Sequence, residues 1–276
     1  MTPVAGEAMT AEAMTGEAMT AEAMTSVRDV EPIDYTAVIR DESETFVAAV
    51  EAAGFDVLVP TCPGWTVRDL VTHLGTTQRW AAANVERRPD RSRIREVGAP
   101  PEAREDAIAW MRDGTATLVA AIEAAPRDDP VWSWAGDGAT VGFWARRMAL
   151  ETAVHRYDAQ VSAGWDADVT TSMPTSLAVD GVDEFLTVFA VSRPGGAPAG
   201  EGETVHLHAT DAEGEWLVRL APNGPEVERA HAKGDVAARG PASALLLYAW
   251  GRTDAGDLEV FGDAALLERF VASVRV

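Results

Sequence analysis

Residues 143–159 form one helical run whose apolar side chains cover much of its circumference. Such a helix has to be packed on several sides. Two of its polar residues, Glu151 and His155, are four positions apart and project from one face a single turn apart. They share a stripe with Trp144 and Met148, which buries both. A buried carboxylate is costly unless it is paired or coordinated. One turn further on, Asp158 is either an acceptor behind a ligating imidazole or a solvated helix-end carboxylate.

About eighty residues upstream, Asp69-Leu70-Val71-Thr72-His73-Leu74 opens another helical pattern, with Leu70, Leu74 and Trp80 on its apolar face. One carboxylate and two imidazoles between packed helices form a shell for a divalent metal. Three protein ligands leave positions open for water or substrate, as in a catalytic site. The competing reading makes His73 an ordinary core or surface histidine and Glu151–His155 a surface pair.

Cys62-Pro63-Gly64-Trp65-Thr66-Val67-Arg68-Asp69-Leu70-Val71-Thr72-His73-Leu74, with Glu151-Thr152-Ala153-Val154-His155-Arg156-Tyr157-Asp158 downstream, resembles the mycothiol-dependent maleylpyruvate isomerase family. The resemblance runs over roughly residues 30–276 and implies an α+β protein: an N-terminal DinB-like four-helix bundle carrying a metal, usually zinc, then a small C-terminal α+β domain. It assigns the metal to His73, Glu151 and His155, with mycothiol as the thiol cosubstrate. It also associates catalysis with a late arginine, matched here to Arg252 in the segment from Gly240 to Arg252. In that role Arg252 would hold a carboxylate of the substrate or of the thiol; otherwise it makes a surface or helix-end ion pair.

The 276 residues suffice for two domains, and the net charge of −21 argues against nucleic acid or an anionic membrane as a partner. Cys62 is the single cysteine, so no intrachain disulfide forms and a reducing cytoplasm is the expected home. Placed just ahead of a helix start, Cys62 reads as a packing residue rather than a nucleophile. No apolar run approaches the ~20 residues that span a bilayer. The expected partners are a small electrophile and a low-molecular-weight thiol, for a monomer or homodimer.

The expected domains are a leader over 1–27, the metal-binding bundle over 28–168 and the α+β unit over 169–276. Residues 6–25 are four copies of a pentamer carrying Met9, Met14, Met19 and Met24. Five residues advance a helix by about 500°, so these methionines make no stripe, and the segment reads as a flexible leader. Bundle helices are expected over 35–53 with Gly54 as the stop, from Thr66 (with Asp69 completing a capping box) to about 86, over 102–124, and from about 140. Trp132 and Trp134, in the loop before the last of these, either line the mouth of the site or pack beneath the loop.

Further on, the pattern predicts a helix over 177–189, strands over 204–209, 216–220 and 235–239, a helix over 241–250, a strand over 258–260 and a closing helix. His206 and His208 share a strand face at a spacing that suits a metal. With no third ligand apparent, an exposed sheet face is the preferred reading.

Three functions compete: a thiol-dependent metalloenzyme, either isomerase or S-transferase; a metal-dependent hydrolase using the same three ligands; and a non-catalytic small-molecule-binding bundle. The resemblance favours the first.

Overall fold

The computed structural model describes residues 32–88, 97–165, 168, 173–192 and 199–275. The pentamer repeat and its expected role as a leader lie outside the described residues. Residues from Ile33 onward belong to one unit, with four helices followed by a mixed sheet and three further helices.

Local sequence signals set the bundle helices. In α1 (Tyr35–Ala53), Asp34 accepts from the backbone N–H groups of Thr36 and Ala37, and Gly54 ends the helix at φ 90°. In α2 (Val67–Glu86), Thr66 and Asp69 form the anticipated capping box. Both α3 (Arg104–Glu123) and α4 (Val141–Ser162) start without a side-chain cap, so packing rather than capping fixes their ends. The helix α1 lies along α4, and α2 along α3. As its sequence requires, α4 is buried on most sides, with Trp144, Met148 and Leu150 almost inaccessible.

The bundle interior also holds a polar knot with one member from each helix. Gln78 Nε2 donates to Ser43 Oγ (3.3 Å) and Thr152 Oγ1 (3.1 Å), Thr115 donates to Gln78 Oε1 (2.7 Å), and Thr152 donates to the Met148 carbonyl (2.6 Å). All four residues are buried.

Beyond the bundle, α5 (Thr175–Glu184) runs on through a π-helical turn, Phe185–Ala190. The expected helix is present, but a π turn leaves no mark on hydrophobic periodicity and was not foreseen. Five strands follow: β1 (Thr204–Ala209), β2 (Glu215–Ala221), β3 (Gly224–Glu228), β4 (Val236–Gly240) and β5 (Glu259–Gly262), in the spatial order β3-β2-β1-β4-β5. The β1–β4 pair is parallel and the others antiparallel. The unforeseen strand is β3. It contains Pro225 and lacks alternation, both tolerated because it lies at the sheet edge.

One face of the sheet, with Val205, Leu207, Trp216, Val218 and Val236, packs on α5, α6 (Ala242–Ala249) and α7 (Ala264–Val274). The opposite face is not the open surface expected around His206 and His208. There His206 is buried, and Glu215 and His231 converge on it. Among the described residues, no helix is long and apolar enough to cross a membrane.

Candidate metal centre

The capping box that starts α2 phases His73 toward α4, where Glu151 and His155 project one turn apart. His73 Nε2 lies 2.9 Å and His155 Nε2 3.4 Å from the same oxygen, Glu151 Oε1. The two imidazoles meet edge to face with centroids 4.9 Å apart. One ligand atom from each of the three side chains lies within 4.8 Å of the others. Side-chain exposure falls from 37% at His73 through 19% at Glu151 to 7% at His155, so the cluster opens on the His73 side. Trp65 walls it, its ring 5.0 Å from that of His73 and stacked 6.2 Å from that of His155.

Behind these groups, Glu151 and His155 each have a fixed partner. Glu151 Oε2 accepts from Arg147 Nη2 at 2.6 Å, which leaves Oε1 for the opening. Burial would raise the Glu151 pKa, but Arg147, His155 and His73 together hold it well below the usual carboxylate range. Arg147 also donates to Glu184, at the junction of α5 and the π turn. There burial outweighs the attraction of Arg147 and pushes the carboxyl up to about 7.

Asp158 is fully buried and accepts at Oδ2 from His155 Nδ1 (2.8 Å), so the solvated helix-end reading fails. Burial disfavours a charged His155, yet its bonds to Asp158, Cys62 and Glu151 hold its pKa well above the ordinary imidazole value. Asp158 itself lies far below the usual carboxylate range, since His155 and Arg252 overcome the cost of burial.

Arg252 reaches this hub because of how α6 ends. Gly251, at φ 72°, reverses the chain in a Schellman turn: its N–H bonds to Tyr248 O and that of Arg252 to Leu247 O. The guanidinium then donates Nε to Asp158 Oδ1 (3.2 Å) and Nη2 to Asp158 Oδ2 (3.1 Å), with Nη1 on Trp250 O (2.8 Å). It is a buried pair joining α4 to the C-terminal part, not a surface one.

Sequence reasoning missed several neighbours. Cys62, read as a packing residue, has Sγ 3.4 Å from Asp158 Oδ2 and 3.5 Å from Arg252 Nη2. Thr61 donates to Asp158 Oδ1 at 2.6 Å. Arg147 carried a usable signal, being one turn before Glu151 on the same face. Glu184 carried none. Trp132 and Trp134 pack away from the cluster, against Trp80 and against Phe143 and Phe189.

The family model for the mycothiol maleylpyruvate isomerase N-terminal domain matches residues 36–160, and the model for the C-terminal domain of the same family matches 176–269. The chain belongs to the mycothiol maleylpyruvate isomerase family. A crystal structure of the mycothiol-dependent maleylpyruvate isomerase superposes with a TM-score of 0.56 at 17% identity, covering 82% of this chain and 91% of that one. A mutant of that enzyme gives the same TM-score and coverage at 16% identity. At such identity these likenesses speak for the shared family fold. No curated protein sequence matches the chain.

Proposed function

We propose that the chain is a thiol-dependent metalloenzyme in which a low-molecular-weight thiol, mycothiol by family, adds to an electrophilic small molecule. The reaction is an isomerisation of the maleylpyruvate type when the thiol is expelled again, or an S-transfer when the adduct is kept. The observation that carries this reading is the convergence of His73 Nε2, Glu151 Oε1 and His155 Nε2 from two helices at the open end of the bundle. Two imidazoles and a carboxylate with one oxygen already held by Arg147 suit a divalent ion of the zinc type. Such an ion supplies Lewis acidity that keeps a thiol ionised at neutral pH, where a free thiol with a pKa of about 8.5 is mostly protonated.

The protein's own groups position and shield. Asp158 fixes His155 so that Nδ1 faces the interior and Nε2 the opening. Arg147 orients Glu151, and the Trp65 ring excludes water from one side. Arg252 supports Asp158, and the second N–H of Nη1, beyond the one given to Trp250, suits a substrate or thiol carboxylate. The single cysteine favours a reducing cytoplasmic setting.

The test is metal analysis and turnover of His155→Ala, with maleylpyruvate and mycothiol as the probe pair. The expected result is loss of the bundle metal and of turnover in a protein that stays folded. Full turnover without any thiol would overturn the scheme in favour of a metal-activated hydrolase.

A further inference from the structure

We propose that His206, His208, Glu215 and His231 form a second divalent-metal site, of the zinc type, on the outer face of the C-terminal sheet. It shares no residue with the bundle site. The pleat of β1 sends Val205, Leu207 and Ala209 into the core and therefore His206 and His208 to the other face. In β2 the same alternation turns Trp216 inward and Glu215 outward, and Glu215 stands directly opposite His208 in the register. The fourth residue comes from the connection between β3 and β4. These strands run in the same direction on either side of the β2–β1 pair, so residues 229–235 cross two strands. Among the described residues, positions 229–234 make no backbone hydrogen bond. Side chains tie this crossing down: Arg229 pairs with Asp183 at its start, and His231 reaches Glu215 in its middle.

The geometry around Glu215 is that of a contracted ligand shell. A single oxygen, Oε2, lies 3.1 Å from His206 Nε2, 3.5 Å from His208 Nδ1 and 2.5 Å from His231 Nδ1. The three rings are mutually steep, at 71°, 88° and 79°, with centroids 6.0–6.2 Å apart. One carboxylate oxygen has two lone pairs, so three imidazoles oversubscribe it. A tetrahedral ion bound at about 2.0–2.2 Å from each donor spaces the donors roughly 3.3–3.6 Å apart, which His208 already meets and which His206 and His231 reach by moving outward from Glu215. One ligand atom from each of the four groups already lies within 4.8 Å of the rest. His206 is nearly inaccessible, with side-chain exposure of 8%, whereas His231 at 80% leaves an entry path for the ion. The chain has five histidines, and all of them fall in this cluster or the bundle cluster.

Four protein ligands make a closed site, which is structural rather than catalytic. Its role is to staple the crossing segment to β1 and β2. The experiment uses full-length protein without a polyhistidine tag, stripped with chelator, titrated with zinc by calorimetry and checked by elemental analysis. Wild type takes two equivalents, His155→Ala one, and the double variant His208→Ala/His231→Ala one, with turnover kept. Zinc raises the melting temperature of His155→Ala but not that of a variant lacking all three histidines. Cobalt bound to His155→Ala gives the visible absorption of a four-coordinate ion. Equal zinc stoichiometry in wild type and the double variant would overturn the proposal, as would His155→Ala that takes none. If only the bundle reading is wrong, wild type and His155→Ala both take one equivalent and the double variant none.

Discussion

Arg147 sets one positive charge between two buried carboxylates, Glu151 and Glu184. It cannot neutralise both. Glu151, with two imidazoles as further partners, stays ionised, and Glu184 keeps its proton up to about 7. This has a thermodynamic sign. The unfolded chain releases the Glu184 proton near 4.5, so between that value and about 7 the folded state binds more protons and stability falls as pH rises. The stabilisation is complete below 4.5 and lost through 7, on the order of 3 kcal/mol in all. Melting temperature followed from pH 5 to 8, with chelator present throughout, should fall in wild type and fall much less in Glu184→Gln. An equal slope in both would show that Glu184 is ionised throughout and shares Arg147 with Glu151.

At the scale of the helices, the knot of Ser43, Gln78, Thr115 and Thr152 fixes how the four bundle elements slide against one another. Thr152 is the neighbour of Glu151, and Gln78 follows His73 on α2, so the knot and the proposed metal ligands share two helices. Gln78→Ala removes the central member, strands buried hydroxyls and opens a cavity. A loss of about 2–4 kcal/mol is expected in chemical denaturation. Zinc affinity should fall with it, because the register between His73 and Glu151 loosens; unchanged affinity in the folded variant would confine the knot to stability. Nothing in the sequence marked this knot. Serine, threonine and glutamine taken singly read as surface residues, and only tertiary packing brings four of them together. The same limit hid Glu184, which meets Arg147 only after the chain has left the bundle, and the joining of Glu215 on β2 with His231, which arrives from the connection after a strand that was not foreseen. What was legible was local: Gly54 as a helix stop, Thr66 with Asp69 as a helix start, and the one-turn spacing of Glu151 and His155 on a helix too apolar to lie on a surface. His73 was legible because its own helix carried an apolar face beside it.

Across the whole molecule, the part of the chain beyond the bundle reaches the supports of the proposed metal cluster at two points, Glu184 on Arg147 and Arg252 on Asp158. Arg252 crosses to Asp158, which holds His155 from behind, so the sheet and its helices influence the site at the far side of a ligand. Removing Arg252 leaves a fully buried carboxylate with Thr61, Cys62 and His155 as its remaining partners. A stability loss of about 3–5 kcal/mol is expected from breaking such a pair, so kinetics must be measured well below the melting transition. There, Arg252→Ala should retain the bundle metal, since His73, Glu151 and His155 are intact, yet lose at least about a hundredfold in turnover, the scale on which misplaced catalytic groups act. The split between constants separates two roles. If Arg252 works only by steadying His155 through Asp158, kcat falls and KM stays. If the second N–H of Nη1 also takes a carboxylate, KM rises as well, and Arg252→Lys restores little because an ammonium cannot reproduce the planar fork. Loss of metal together with turnover would make Arg252 a strut for the ligands, and undiminished turnover would leave it as a link between the two parts of the chain with no share in the chemistry.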